Sequence, residues 1–210
     1  RVRAFKAENP DVAVCAYINT SAALKAVCDV CVTSSSAVHI VRQLDAQRIL
    51  FIPDQNLGAY VAREVPEKEF ILWDGYCPVH NQITEHDVAT ARKAHPQALV
   101  AMHPECPPEA VALADMVGST AAIIQFIKKT DRPVIVATER GVVDYLSIRY
   151  PHKALYQLCP QKLVCEDMKL TTLEGLYRAL RGEGGLIVEL EEDLRLRAKN
   201  SIDAMLRYGG

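Results

Sequence analysis

Ala98-Leu-Val-Ala-Met-His103-Pro-Glu105-Cys106-Pro-Pro-Glu109 sets an apolar run directly before an imidazole, a carboxylate, a thiol and two prolines. A short apolar run bounded by turn residues reads as a buried parallel strand. In open α/β sheets, ligands sit just beyond the carboxyl ends of such strands. The prolines fit the first turn of a following helix, where a missing N–H costs nothing. This one stretch therefore predicts a strand over 98–102, a helix from 107, and chemistry between them.

The same grammar recurs along the chain. Strands are predicted at 11–18, 30–33, 48–53, 69–73, 98–102, 116–118, 133–138 and 154–158. Helices are predicted near 20–28, 35–44, 56–65, 84–95, 107–114, 121–129, 141–149 and 171–181, with a last one over 189–207. Regular alternation of this kind predicts parallel sheets covered on both faces, an α/β fold.

The alternation also repeats. Sliding the chain by 86 positions lays Asp11–Ser36 on Gln97–Ala122. Tyr17-Ile18-Asn19 then meets His103-Pro104-Glu105, Asp29 meets Asp115, and Thr33-Ser34 meets Ser119-Thr120. Two residues of drift later, Cys77 meets Cys165. The expected organisation is one α/β unit over 1–83, a second over 84–188, and a C-terminal helix over 189–210. The chain opens on Arg1-Val-Arg-Ala-Phe-Lys-Ala-Glu-Asn-Pro10, which reads as the tail of a helix already under way.

Composition narrows the function classes. Half of the 210 residues are hydrophobic, enough for one large or two small cores. The net charge is −2 and no long basic run is present, which argues against nucleic acid or an anionic membrane as the main partner. No apolar stretch approaches the roughly 20 residues of a membrane span. Seven cysteines, an odd number, in an α/β pattern point to a reducing, cytoplasmic setting.

Cys77 and Cys165 occupy equivalent places in the repeat, so two thiolates from equivalent loops could meet. Thiolates select zinc, Cu(I) or iron–sulfur clusters. Structural zinc usually takes paired ligands about two residues apart in each arm, a spacing read in neither loop, which disfavours zinc. The competing reading is two buried, inert cysteines. Cys28-Asp-Val-Cys31 has metal or redox spacing but runs from a helix end into a strand, whereas a redox pair normally opens a helix. Core packing is the favoured reading there. A non-catalytic metal-binding module using Cys28 and Cys31 is the alternative, and a small-anion-binding domain a further one.

Ser34 and Thr120 each stand between a strand and a helix, as N-caps or as an anion site. His103 and Glu105 suit acid–base roles, or else form a turn histidine and an exposed acid. Tyr17 is a candidate site residue or a strand aromatic. The run Glu189–Lys199 reads as an ion-paired helix face over Leu190 and Leu194. No dinucleotide-type or Walker-type loop is present.

Tyr17-Ile-Asn-Thr-Ser-Ala22, Val32-Thr-Ser-Ser-Ser-Ala37, Phe51-Ile-Pro-Asp-Gln-Asn-Leu-Gly58 and Gly75-Tyr-Cys-Pro-Val-His80 follow one another in order. His103-Pro-Glu-Cys-Pro-Pro108, Val117-Gly-Ser-Thr120, Ala137-Thr-Glu139 and Cys165-Glu-Asp-Met-Lys169 continue the series. In these segments the chain resembles quinolinate synthase, the second enzyme of de novo NAD biosynthesis. The resemblance implies Rossmann-like three-layer domains, two of an expected three around a pseudo-threefold axis, with the first domain upstream of Arg1. It implies a [4Fe-4S] cluster held by one cysteine per domain, Cys77 and Cys165 being the two in this chain. It further implies condensation of iminoaspartate with dihydroxyacetone phosphate to quinolinate, with an aspartate oxidase as an associated partner. Carried over by position, Tyr17, Ile18, Asn19, Ser34, His103, Pro104, Glu105 and Thr120 would bind substrate. Glu105, Tyr17 and His103 would carry the catalysis, and His80 and Asp29 would be further cavity residues. Ser36 departs from the family, which often has Asn there.

Overall fold

The computed structural model describes residues 1–209. It contains eight strands in two four-stranded, all-parallel sheets. The first holds β1 (Val12–Tyr17), β2 (Val30–Val32), β3 (Arg48–Ile52) and β4 (Glu69–Leu72) in the order β2-β1-β3-β4. The second holds β5 (Leu99–Met102), β6 (Met116–Val117), β7 (Val134–Ala137) and β8 (Leu155–Gln157) in the order β6-β5-β7-β8. The two orders are the same, and each sheet changes winding direction between its first and third strands. That switch point opens a crevice beyond the carboxyl ends of β1, β3, β5 and β7.

Eleven α-helices cover the sheets: α1 (Val2–Glu8), α2 (Ala22–Lys25), α3 (Ala37–Gln43), α4 (Gln55–Glu64), α5 (Glu85–Ala94) and α6 (Pro108–Val111), then α7 (Thr120–Lys129), α8 (Arg140–Arg149), α9 (Glu166–Lys169), α10 (Leu173–Leu180) and α11 (Glu192–Gly209). A single 3₁₀ turn, His80–Gln82, precedes α5.

Strand alternation sorts the core into layers, because successive side chains leave a strand on opposite faces. Val12, Val14, Ala16, Leu50 and Ile52 pack together on one face of the first sheet. Cys15, Ile49 and Phe51 fill the other with Ile40, Leu57 and Val61. In the second sheet Val100, Met102, Ile135 and Ala137 share one face, and Ala101, Val134 and Val136 the other. Val79 and Ile83, between the sheets in sequence, join the core of the second. The C-terminal helix α11 packs back on β2, α2 and α3, where Ala204 enters the first core.

The repeat extends to individual hydrogen bonds. Asp29 accepts from the Val14 backbone N–H at 2.7 Å, and Asp115 accepts from Val100 at 2.7 Å. Lys6 pairs with Asp29 at 2.7 Å and Arg92 with Asp115 at 2.8 Å. Each residue of one set stands 86 positions from its counterpart. Asp29 thus lies at the amino end of β2, fixing the strand edge, away from the carboxyl-end crevice where the resemblance would put it.

Several local expectations change. Ser34 and Thr120 cap no helix. Ser119 caps α7, its hydroxyl accepting from Ala122 N–H at 3.2 Å, and Thr120 is the first helical residue. Ser34 sits in the turn before α3, two residues short of the cap position at Ser36. The final helix starts at Glu192, where two acidic residues suit its first turn. Leu190 therefore precedes the helix and is exposed, while Leu194 is partly buried on it. The short helix α9 directly after Cys165 has no counterpart in the sequence reading.

Candidate active site

Four strand ends deliver the site. β1 ends at Tyr17, β3 runs into Pro53-Asp54, β5 into His103-Pro-Glu105, and β7 into Thr138-Glu139. With the loop 76–83 and the segment 164–168, they surround a cavity of about 620 Å³. Its lining includes Tyr17, Asn19, Asp54, Cys77, His80, Glu105, Glu139 and Cys165. The two cysteines from equivalent loops therefore open on one cavity, along with the carboxylate of the opening motif.

A buried cluster of titratable groups stands at its floor. His80 Nδ1 lies 3.0 Å from Glu105 Oε2 and 3.3 Å from Cys77 Sγ. His80 Nε2 lies 3.2 Å from Thr138 Oγ1, a hydroxyl from the end of β7. His103 stacks on His80 with ring centroids 4.8 Å apart, and its Nδ1 is 3.5 Å from Glu105 Oε2. Asn56 on α4 donates to the Glu105 carbonyl at 3.0 Å and to Asn81 Oδ1 at 2.8 Å, tying the two units together over the site.

The electrostatics follow from this packing. Burial disfavours a charged His80, but hydrogen bonds to Cys77 and Glu105 outweigh it and lift its pKa to about 9. His103 is driven down to about 4, chiefly by burial and then by the neighbouring His80 charge. Burial would raise Glu105, yet the His80 hydrogen bond and the two imidazoles hold it below its ordinary value. Burial, reinforced by the Glu105 charge, raises the Tyr17 phenol, and Ser34 beside its hydroxyl acts the other way. At neutral pH the cluster therefore holds a carboxylate next to an imidazolium, a base and an acid at one spot.

Two further carboxylates were not singled out from the sequence. Asp54 caps α4 through Leu57 N–H at 2.7 Å and also accepts from the Cys77 backbone N–H at 2.7 Å. Burial and the Glu105 charge push its pKa to about 6 against those hydrogen bonds. Glu139 caps α8 through Gly141 N–H at 2.6 Å, pairs with Lys169 at 2.9 Å, and faces the Cys165 backbone N–H. These are corresponding positions of the repeat, 85 residues apart. A comparison of the turns after 48–53 and 133–138 would have found them.

The structure brings Tyr17, Asn19, Glu105, Cys77 and Cys165 to the cavity wall, with His103 behind His80. Ile18, Ser34, Pro104 and Thr120 are not among the lining residues; Ser34 meets the site at the Tyr17 hydroxyl, and Pro104 faces a smaller pocket with Asn56 and Tyr60. Cys106 is buried against Ala137 and packs in the second core. Cys28 turns its thiol to the Leu24 carbonyl at 3.0 Å and Cys31 to the Ser201 hydroxyl at 3.4 Å. Among the described residues, the group of three metal-ligating side chains is Cys77, His80 and Glu105, with donor atoms within 4.8 Å of one another. Two residues separate Cys77 from His80, so the first loop does carry metal-type spacing, through a histidine in place of a second cysteine.

Comparison with known proteins places this site in a family. The model of the family described as quinolinate synthetase A protein matches residues 1–207. A quinolinate synthase of Alkaliphilus metalliredigens is 44% identical over 207 residues, covering 98% of this chain and 68% of that protein. One from Caldicellulosiruptor bescii is 44% identical over 209 residues, 99% of this chain and 68% of its own length. One from Clostridium perfringens is 41% identical over 207 residues, with 98% and 68% covered. The chain belongs to the quinolinate synthase family of enzymes.

Proposed function

We propose that the protein acts in NAD biosynthesis, condensing iminoaspartate with dihydroxyacetone phosphate to quinolinate with release of phosphate and water. The observation that carries this reading is the convergence of Cys77, Cys165, Glu105, Tyr17 and Asn19 on one cavity. The two thiols suit a [4Fe-4S] cluster, since sulfur donors from equivalent strand-end loops face the same space. When bound, such a cluster with one iron free of protein ligands supplies a Lewis acid for loss of a hydroxyl.

The chain's own residues do the rest. Glu105, ionised and 3.0 Å from His80, takes a proton from the substrate carbon or nitrogen, and His80 returns one to a leaving oxygen. His103 stays neutral and fixes the stacking of His80. Tyr17 positions the substrate with its hydroxyl, itself braced by Ser34. Asn19, on the cavity wall, holds a carboxylate or phosphate oxygen. The buried floor excludes water from the reactive imine. No helix of the described residues is long and apolar enough to cross a membrane. The substrates are small and polar, the setting proposed is cytoplasmic, and an aspartate oxidase would supply iminoaspartate.

The test is anaerobic reconstitution with iron and sulfide in the protein as the cell makes it, followed by assay of quinolinate. Broad visible absorbance and product are expected, and both should vanish in Cys77→Ala and Cys165→Ala. A full cluster and full activity in either variant overturns the assignment.

A further inference from the structure

Three neighbours bear on the His80 ring. Glu105 Oε2 lies 3.0 Å from Nδ1, the Thr138 hydroxyl lies 3.2 Å from Nε2, and the His103 ring stacks on its face with centroids 4.8 Å apart. A stack fixes the plane of an imidazole but is blind to a half-turn about the Cβ–Cγ bond. That half-turn exchanges each ring nitrogen with a carbon, so it would turn a C–H toward Glu105. Thr138 opposes it, because the turned ring would offer its hydroxyl a carbon in place of Nε2. With Nε2–H donating to Thr138, Nδ1 is the nitrogen left for Glu105.

Thr138 is itself rigidly held. It follows β7 directly, is 2% exposed, and its carbonyl accepts from Gln157 Nε2 at 2.8 Å. Its branched Cβ restricts the rotamer. It lies behind the ring and is not among the residues lining the cavity, so its hydroxyl does not meet substrate. The internal repeat supplies an independent observation. Asp54 corresponds to Glu139, and hence Pro53 to Thr138. Both turns leave a parallel strand and enter a helix capped by that carboxylate. Proline carries no hydrogen-bonding side chain, so the first unit makes its strand-to-helix turn without a hydroxyl. The turn does not demand the hydroxyl of Thr138, and the group that hydroxyl meets is His80.

We propose that Thr138 is a positioning residue for the acid–base pair, fixing the His80 ring so that Nδ1 faces Glu105. The role rests on the condensation proposed above, in which Glu105 and His80 move the protons. A ring free to turn spends part of its time with a carbon at the reacting position, which costs rate. The substrate's own contacts at Tyr17 and Asn19 are untouched, so binding is spared.

The test compares Thr138→Val with Thr138→Ser in the cluster-loaded protein. Valine keeps the size and branching and loses the hydroxyl, whereas serine keeps the hydroxyl and loses a methyl group. Thr138→Val should lower kcat by about 10–100-fold with KM within about twofold of the parent. Thr138→Ser should stay within about threefold of the parental kcat. A packing role gives the reverse order, because serine leaves a void where valine does not. Iron content and visible absorbance should match the parent in both variants. A second readout needs no turnover. In the reduced, cluster-free chain labelled with ¹⁵N-histidine, the His80 Nε2–H should give a ring N–H signal, identified by its loss in His80→Gln. Thr138→Ser should keep that signal in place, and Thr138→Val should displace or broaden it. Should Thr138→Val fail to fold by circular dichroism, Thr138→Ala against Thr138→Ser makes the same comparison, since the two differ only in the hydroxyl. Parental kcat in Thr138→Val, a larger loss in Thr138→Ser, a rise in KM without a fall in kcat, loss of the cluster, or a ring signal indifferent to the hydroxyl overturns the proposal. No quinolinate from the cluster-loaded parent would refute the condensation itself, and a ring signal that still follows the hydroxyl would then leave Thr138 standing as the anchor of His80.

Discussion

His80 Nδ1 and Glu105 Oε2 stand 3.0 Å apart, although one comes from the loop joining the two sheets and the other from the end of β5. The contact is buried and pairs an acid with a base at the floor of the cavity. Glu105→Gln keeps the shape and removes the base. Quinolinate formation should fall by about 10²–10⁴, the usual contribution of a positioned acid or base. Urea unfolding of the same variant should lose only about 1–3 kcal/mol, the cost of weakening a buried polar contact. A fall in activity matched by an equal fall in folded protein would remove Glu105 from the chemistry.

Asp29 and Asp115 hold equivalent backbone N–H groups, those of Val14 and Val100, each at 2.7 Å. Both valines are fully buried, so a lost acceptor leaves an unpaired N–H. Asp29→Ala and Asp115→Ala are each expected to destabilise by about 1–3 kcal/mol. Because the surroundings repeat, the two values should agree within about 1 kcal/mol in urea melts. A large effect at one site and none at the other would show that the repeat is only topological.

The regular β-α alternation and the 86-residue offset were legible because strand periodicity and burial are local properties of sequence. All eight strands lie where the apolar runs put them, and the helix order follows. Caps were less legible: Ser34 and Ser36, or Ser119 and Thr120, offer the same hydroxyl, and only backbone geometry chooses among them. His80 entered the sequence reading as a minor cavity residue, because its partners are 25 and 58 positions away. Such a cluster is a product of tertiary packing and leaves no spacing to read, apart from the Cys77–His80 pair. Asp54 and Glu139 were hidden for the opposite reason, since a carboxylate opening a helix looks like an ordinary cap.

Asp87 offers a pH test away from the cavity. Its carboxylate accepts from Thr84 N–H and Thr84 Oγ1, both at 2.8 Å, and pairs with Lys162 at 2.7 Å. Burial would raise its pKa, but these donors hold it far below the usual carboxylate range. As pH falls, the unfolded chain takes up the proton near about 4, while the folded chain resists until lower pH. The stabilisation is therefore complete above about pH 4 and is lost progressively below it. Asp87→Asn should cost about 1–2 kcal/mol at pH 7 in urea melts, and the gap to the parent should close below about pH 4. A gap that stays constant down to about pH 2.5, more than one pH unit below the free value, would contradict the assignment.

Gly75 lies two residues before Cys77, and a Cβ there would meet the Pro53 carbonyl oxygen at 2.5 Å. The obstacle is backbone, so the loop must move. Its carbonyl also accepts from Gln55 N–H at 2.8 Å, tying it to the start of α4. Gly75→Ala should destabilise by about 1–3 kcal/mol, the range for an overpacked site. It should also quicken alkylation of Cys77 in the reduced, metal-free chain through displacement of the loop. Parent-like melting and alkylation would mean that the loop absorbs the methyl group without moving the thiol.

Asp54 and Glu139 end equivalent strands, cap equivalent helices, and turn toward the backbones of Cys77 and Cys165 respectively. Asp54 divides its work: one oxygen takes Leu57 N–H and the other Cys77 N–H. An asparagine has only one acceptor oxygen, so Asp54→Asn must release either the helix cap or the cysteine loop. Glu139→Gln keeps the length but loses the ion pair with Lys169, which anchors the helix after Cys165. In the reduced, metal-free chain, alkylation of Cys77 should quicken severalfold in Asp54→Asn while Cys165 reacts as before. Glu139→Gln should do the reverse, and peptide mass spectrometry reads both rates in one sample. General loosening would speed both cysteines in both variants. Only local anchoring gives the crossed pattern, so equal acceleration at the two sites would reject the role.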